Sequence, residues 1–490
     1  MVRSPAAWLA ALLLAFPGAA TAHHGGAHDD FDYLAEINRA SLVMLVEQGL
    51  VPADLAHRIA DAIGRVVEEQ GMPGAARSAN YLDFEARLVE LAGPEASRLH
   101  TGRSRQDIGS TYRRMALRAA VLDSYDALLG ARRAVLDLAG RHTETIVPAY
   151  THGVQAQPTS YAHYLLAFAA AFERDAARLE AAYARLNLSP LGAAALGTSG
   201  FALDRERLAE LLGFDGVVEN TYDANLDASV DSKIEVANAL SISAVTIGQF
   251  MQNLHTQYHD PEPWILLAES ETSGSSIMPQ KRNPRPVDRA RLLASTTIGN
   301  AHGVLINAHN TNSGMNDYRA NGQVLATTTA ARQMYLAFER VLANLVVDKD
   351  RALDEVDQEY STMTEIADLL LREAGVPFRI GHHYASELTS YGRSQGKRPK
   401  QLTDAELVDL YEEAIGDPLP VPVERVREAM NPVAMVANRR GLGGPQKAEV
   451  LRMLAVHQEA LEANTAWLDQ RRNDLVTASG RLASEFARIR

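Results

Sequence analysis

The chain has 490 residues, 46% of them apolar, 22% charged and 6% aromatic, with a formal net charge of −13 and no cysteine. That length calls for two or three domains with ample apolar surface to bury, and the composition is that of a helical globule rather than a disordered or fibrous chain. The acidic balance argues against nucleic acid or an acidic membrane as partner, while the lack of cysteine removes disulfides and thiolate chemistry. A small anionic substrate stays compatible, because local cations can oppose the global sign.

In chain order, residues 1–22 read MVRSPAAWLAALLLAFPGAATA. Arg3 precedes an apolar run that is short for a bilayer span, and Ala20-Thr21-Ala22 is a small-x-small cleavage pattern. The expectation is a signal peptide cleaved after Ala22, leaving His23 first and a periplasmic or secreted protein with no membrane attachment. The tract HHGGAHDD at 23–30 offers three histidines and two aspartates, but it implies no fixed ligand geometry, so no metal is assigned to it.

Helical periodicity then dominates and alternating strand patterns are scarce. A helical region over about 31–91 ends at Gly93-Pro94, and Leu165, Phe168, Phe172, Leu179, Tyr183 and Leu186 form an amphipathic series broken at Pro190. Residues 227–258 contain no proline and one glycine, so they predict one long helix. Ala331, Met334, Phe338, Val341 and Leu345 repeat the helical spacing. Helices of this length bury their faces against each other, which predicts a central bundle. The expected fold is all-α, with an N-terminal helical domain at 23–110, a central bundle at 111–360 and a C-terminal helical domain at 361–490.

Three polar segments interrupt the helices. Residues 100–110, HTGRSRQDIGS, bring two arginines beside hydroxyls, either an anion fork or a solvated loop with local ion pairs. Residues 148–160, PAYTHGVQAQPTS, place Thr151 and His152 ahead of a predicted helix; His152 is either structural or a near-neutral acid or base. Residues 273–284, SGSSIMPQKRNP, combine a freed backbone at Gly274, hydroxyls at Ser275 and Ser276, and cations at Lys281 and Arg282. That is an anion cradle ahead of a helix. It does not match a Walker phosphate loop or an esterase nucleophile elbow.

The stretch GSSIMPQKRNP resembles the signature of the fumarase/aspartase superfamily. LHTGRSRQD, YTHGVQAQP, SPLGAAALGTSGFALDR, GVPFRIGHH and GGPQKAEV resemble argininosuccinate lyases in the order that family shows, from about Asp83 to about Val450. The resemblance implies a cofactor-free homotetramer that splits a carbon–nitrogen bond in an N-substituted aspartate and releases fumarate, with argininosuccinate as the first candidate substrate. It implies that Ser275 takes the proton next to a carboxylate, and that Lys281 and Asn283 meet the enediolate. His152, paired with Asp288, would assist protonation of the leaving nitrogen. Ser104, Arg105, Gln106, Thr151 and Ser276 would bind the substrate. It further implies that the signature loop closes over the substrate, and that each site takes segments from three chains.

The sequence departs from that family at several points. Gln106 stands in place of asparagine, Ile108 in place of glutamine, and Asp288 in place of glutamate. Residues 312–323, NSGMNDYRANGQ, replace the segment that recognises the arginine part, with Asn316, Asp317, Tyr318 and Arg319 as the alternative polar set. Those changes and the leader point to a second candidate, an exported lyase for another N-substituted aspartate such as an aminopolycarboxylate. Further rivals are an adenylosuccinate- or carboxymuconate-type enzyme, a non-catalytic binding homologue, and an exported metal binder.

Overall fold

The computed structural model describes residues 28–225, 230–310, 312 and 321–490. The expected leader with its cleavage point, most of the histidine tract, and Asn316, Asp317, Tyr318 and Arg319 lie outside these residues. Of that tract, Asp29 caps the first helix and pairs with Arg77. Among the described residues no group of three or more His, Asp and Glu side chains is placed to hold a metal.

The expected all-α architecture is found. Helices α1 (Asp30–Glu47), α2 (Ala53–Gln70) and α3 (Tyr81–Ala92) open the chain and lead to α4 (Arg105–Arg141). A hairpin of β1 (Ile146–Thr151) and β2 (Val154–Ser160) follows, then α5 (Tyr161–Leu186). Short elements β3 (Leu188–Ser189), α6 (Arg205–Leu211), β4 (Gly216–Val217) and α7 (Thr221–Ala224) precede α8 (Asp231–Gln257). Next come β5 (Ile265–Leu267), α9 (Arg285–Ala308), α10 (Asn321–Ala343) and β6 (Leu345–Val347), which pairs with β5. Helices α11 (Lys349–Gln358), α12 (Met363–Ala374), α13 (Phe378–Ser394), α14 (Asp404–Ile415), α15 (Val423–Ala429) and α16 (Pro432–Ala437) form the C-terminal unit, and α17 (Lys447–Ile489) closes the chain.

The bundle is α4, α5, α8, α9 and α10. The residues whose spacing predicted these helices are its core: Leu165, Phe172, Leu179, Leu186, Met334 and Phe338 are buried, and Phe338 meets Phe172 and Phe250 edge-on at 5.5 and 5.2 Å. Successive helices alternate in direction. The Arg114 guanidinium, near the start of α4, reaches the Leu186 carbonyl at the end of α5 (2.8 Å), and Arg185 there meets Glu235 at the start of α8 (2.6 Å). At the other end His142 and Trp264 both pack on Tyr161, and Arg291 in early α9 reaches Gln252 late in α8. The bundle therefore has a leading end, where α4 starts, and a hairpin end.

The boundary expected at residue 110 falls inside α4, because one helix serves two cores. Ile108 and Met115 belong to the N-terminal core with Leu34, Ile37 and Ile59, whereas Leu117 onward belongs to the bundle. In the same way α17 leaves the C-terminal unit. Its Leu454, Leu461 and Leu468 pack on the bundle, and its Leu482 and Phe486 reach the N-terminal core.

His142 ends α4 and fixes the start of the hairpin. Its Nδ1 lies 3.0 Å from Thr145 Oγ1, and Tyr161 N–H donates to the Thr145 carbonyl. Burial, with Lys349 and Arg141 nearby, depresses its pKa from 6.5 to about 4. The folded state thus keeps this ring neutral where the unfolded chain takes up a proton. The associated stability is present above pH 6.5 and is lost as pH falls from about 6.5 through about 4. Replacing the ring in His142→Asn is expected to flatten the dependence of melting temperature on pH across that window; equal slopes in the two proteins would reject this account.

Candidate active site

The signature segment is a closed loop with a built neck. Ser273 and Asn283 form an isolated antiparallel bridge, with Asn283 N–H donating to the Ser273 carbonyl (2.8 Å) and the reverse bond at 3.1 Å. The Asn283 side-chain amide donates to the carbonyls of Ser273 (3.0 Å) and Gly274 (3.4 Å), and Arg285 Nε donates to Ser273 Oγ (2.9 Å). Arg282 holds the flank through Glu269 (2.8 Å). In this chain the Asn283 amide N–H groups brace the neck.

Within the loop, Ser275 Oγ accepts from the backbone N–H of Met278 (3.2 Å) and Ile277 (3.4 Å). Donors aimed at a hydroxyl oxygen favour its ionised form, so this turn suits an alkoxide base. Ser276 and Lys281 are exposed, free to face a ligand. The neck fixes the two ends of the loop relative to each other.

Asp288 lies in the first turn of α9, 4.0 Å from His255 Nε2 and 3.8 Å from Arg291. Burial and then Arg291 hold His255 below its ordinary pKa, against the opposing pull of Asp288. Asp288 and His152 form no ion pair within one chain; the expected pairing belongs to a site that takes its segments from three chains. Sequence reasoning missed His255, because a histidine four residues before His259 on an amphipathic helix carries no distinguishing pattern.

Thr151 and His152 do not precede a helix. They sit at the tip of the β1–β2 hairpin, where Thr151 pairs with Val154 and the two central residues, His152 (φ 54) and Gly153 (φ 77), are left-handed. Two positive φ values are what a two-residue hairpin turn needs, and glycine meets that need easily. Histidine does so under strain, a feature that clusters at working sites. Both Thr151 and His152 are exposed.

Ser104, Arg105 and Gln106 stand at the leading end. Ser104 is the N-cap of α4: its Oγ accepts from Gln106 N–H (3.2 Å), and its own N–H donates to Asp107 (2.8 Å). Asp107 is fully buried, and its other oxygen accepts from the N–H groups of Gly192 (2.9 Å) and Ala194 (3.1 Å). Burial pushes its carboxyl up against the pull of these donors. It thereby ties the polar segment to a second loop, in which Ala194, Ala195 and Thr198 all have positive φ. Of the two readings left open for this segment, a fork of both guanidiniums is not formed: Arg103 is buried, donates to Asn38 and Ser41 (both 2.9 Å), and lies over the Tyr81 ring. Only Arg105 of the pair is exposed.

One chain therefore brings Ser275, Ser276, Lys281, Asn283 and Asp288 together, presents Thr151 and His152 on a hairpin at the same end of the bundle, and leaves Ser104–Gln106 at the opposite end. The 37 residues of α4 separate that last set from the hairpin, about 55 Å at 1.5 Å per residue.

The bundle also carries exposed residues at a regular spacing. On α9 the exposed residues Asp288, Leu292, Ser295, Gly299, His302 and Ile306 recur at alternating steps of four and three. On α8 the series is Asn238, Ile242, Val245, Gln249, Gln252 and Thr256. A 4–3 repeat with apolar members is the seam by which helices interlock. By length and composition α8 is apolar enough to cross a membrane, and only half of that window is buried within one chain. Its exposed Ile242 and Val245 are apolar surface that a neighbouring helix could cover.

An alternating long-helix bundle with such a loop at one end defines a lyase of the fumarase/aspartase type. Residues 48–299 match a family model described as lyase, and residues 360–437 match one described as argininosuccinate lyase C-terminal. The argininosuccinate lyase of Methanothrix thermoacetophila is 34% identical over 452 residues, covering 91% of each chain, and argininosuccinate lyase 1 of Shouchella clausii is 32% identical over 448 residues, covering 89% of this chain and 88% of that one. The chain belongs to the argininosuccinate lyase family. Among solved structures, EDDS lyase in complex with formate superposes with a TM-score of 0.85 at 29% identity, covering 94% of this chain and 92% of that one. A fumarate lyase from Mesorhizobium sp. BNC1 superposes at 0.69 with 18% identity, covering 88% and 96%, a likeness of fold alone.

Proposed function

We propose that the protein is a carbon–nitrogen lyase that eliminates an amine from an N-substituted aspartate and releases fumarate, with argininosuccinate, cleaved to arginine and fumarate, as its first candidate substrate. The observation that carries the reading is the necked loop that holds Ser275 Oγ against two backbone N–H groups, with Lys281 exposed on the same loop. Ser275 as alkoxide takes the proton from the carbon next to a carboxylate. The electron pair of that C–H bond becomes the second bond of fumarate as the C–N bond breaks and the nitrogen keeps its pair. The intermediate is a dianionic enediolate, which Lys281 neutralises. His152, supported by Asp288 from another chain, delivers a proton to the departing nitrogen. Ser104, Arg105, Gln106, Thr151 and Ser276 hold the carboxylates. No cofactor enters this chemistry.

The assembly is a homotetramer in this reading, since the exposed 4–3 seams of α8 and α9 need partners and the two ends of the bundle must meet from different copies. The protein is exported through the leader at 1–22. A second substrate reading, another N-substituted aspartate such as an aminopolycarboxylate, is favoured by the likeness to EDDS lyase and by the altered segment at 312–323. The test is ultraviolet detection of fumarate from the purified protein supplied with argininosuccinate and a panel of N-substituted aspartates. Turnover of argininosuccinate supports the first reading, turnover of another member alone supports the second, and silence on all rejects the lyase.

A further inference from the structure

We propose that Tyr150, Glu355 and Arg351 are positioning residues that hold the His152 hairpin to the strand leading into the signature loop. The proposal rests on the lyase reading, in which His152 must deliver a proton along a defined line.

The tip itself supplies no such hold. His152 is exposed, makes no hydrogen bond or ion pair among the described residues, and has a strained backbone. The grip lies on the strands behind it. The pairing of β1 with β2 slips between Ala149 and Tyr150, an irregularity that re-aims the side chains beside it. The Tyr150 hydroxyl donates to Glu355 Oε1 on α11. On β2, Gln155 Nε2 donates to the Val356 carbonyl (3.2 Å), so both strands are fastened to the same turn of α11.

Glu355 is in turn fixed from the other side. Its second oxygen is buried without a hydrogen bond, 3.8 Å from the Arg351 guanidinium one helical turn earlier. Arg351 Nε donates to the Glu262 carbonyl (2.6 Å), just ahead of Trp264, whose carbonyl accepts from Asp348 N–H (2.8 Å). From Trp264 the chain runs through β5 to the loop neck at Ser273. A continuous line of contacts therefore joins the hairpin to the base of the loop. Tyr150 is 44% exposed, so its hydroxyl contributes little to the core, and a role limited to stability is a poor account of it.

The test uses the full chain and the substrate found in the panel above. Tyr150→Phe removes only the hydroxyl. It is expected to lower kcat roughly 10- to 100-fold, the cost of a misplaced catalytic group, with KM within about twofold and the melting temperature unchanged. Glu355→Ala is expected to match it, and Glu355→Gln, which keeps an acceptor for the phenol, to recover most of the rate. Hydrogen–deuterium exchange over residues 146–160 is expected to rise in Tyr150→Phe while α4 and α5 stay unchanged. An unaltered kcat, a loss that follows a fall in melting temperature, or unaltered exchange in the hairpin overturns the proposal. If the wild-type protein turns over nothing in the panel, it is the lyase reading that fails, and hairpin exchange alone then decides whether the tether exists.

Discussion

Ser275→Ala is expected to lower fumarate release by roughly 10³-fold or more, within the range that a positioned general base contributes, while the melting temperature stays within error of wild type. The two halves of this expectation have separate grounds. The Ser275 hydroxyl lies on a loop outside every core and accepts two long bonds from Met278 and Ile277 N–H, so its removal sits among surface changes worth within about 0.5 kcal/mol. Its chemical part is not shared by a neighbour. Ser276 is exposed and lacks this pair of N–H contacts, so Ser276→Ala is expected to raise KM with a smaller change in kcat. Lys281→Met is expected to resemble Ser275→Ala in kcat, because the dianion then forms without its cation. Steady-state rates read by fumarate absorbance check all three. A Ser275→Ala protein within tenfold of wild type would place the base elsewhere.

Much of the helical scaffold was legible because burial imposes a period. Phe172, Leu179, Met334 and Phe338 announce their helices, and the structure buries each of them. The hairpin was not legible. Pro148 and Pro158 interrupt its two strands, and the pair stands alone as a two-stranded sheet, so it shows no alternation of buried and exposed positions. Residues 100–110 were legible as polar but not in their division of labour. Nothing local says that Arg103 turns inward to Asn38 and Ser41 while Arg105 stays outside, since that depends on helix α1 some 65 residues away. Asn283 illustrates the same limit. Its identity fits a substrate donor or a neck clamp equally well, and only the position of Ser273 across the loop shows that its amide braces the neck.

The proposed composite site sets a second large expectation. Arg105 begins α4 and the hairpin follows its end, so the length of that helix, about 55 Å, separates Arg105 from His152 in one chain. The signature loop shares the hairpin end through β5 and β6. An aspartate moiety spans under about 6 Å. In the proposed reading, in which Arg105 and Ser275 grip one substrate, the two residues come from different copies, with the leading end of one bundle set against the hairpin end of another. Arg105→Ala and Ser275→Ala, each nearly inactive alone, are then expected to complement one another. Co-expressed in equal amounts, they give a site an intact Arg105 half the time and, independently, an intact Ser275 half the time. Activity returns to about a quarter of wild type under such random assembly of a closed oligomer. A single-chain site predicts no recovery above the two parents, since every chain then carries one lesion. Fumarate production by the purified mixture, alongside its mass by light scattering, separates the two arrangements.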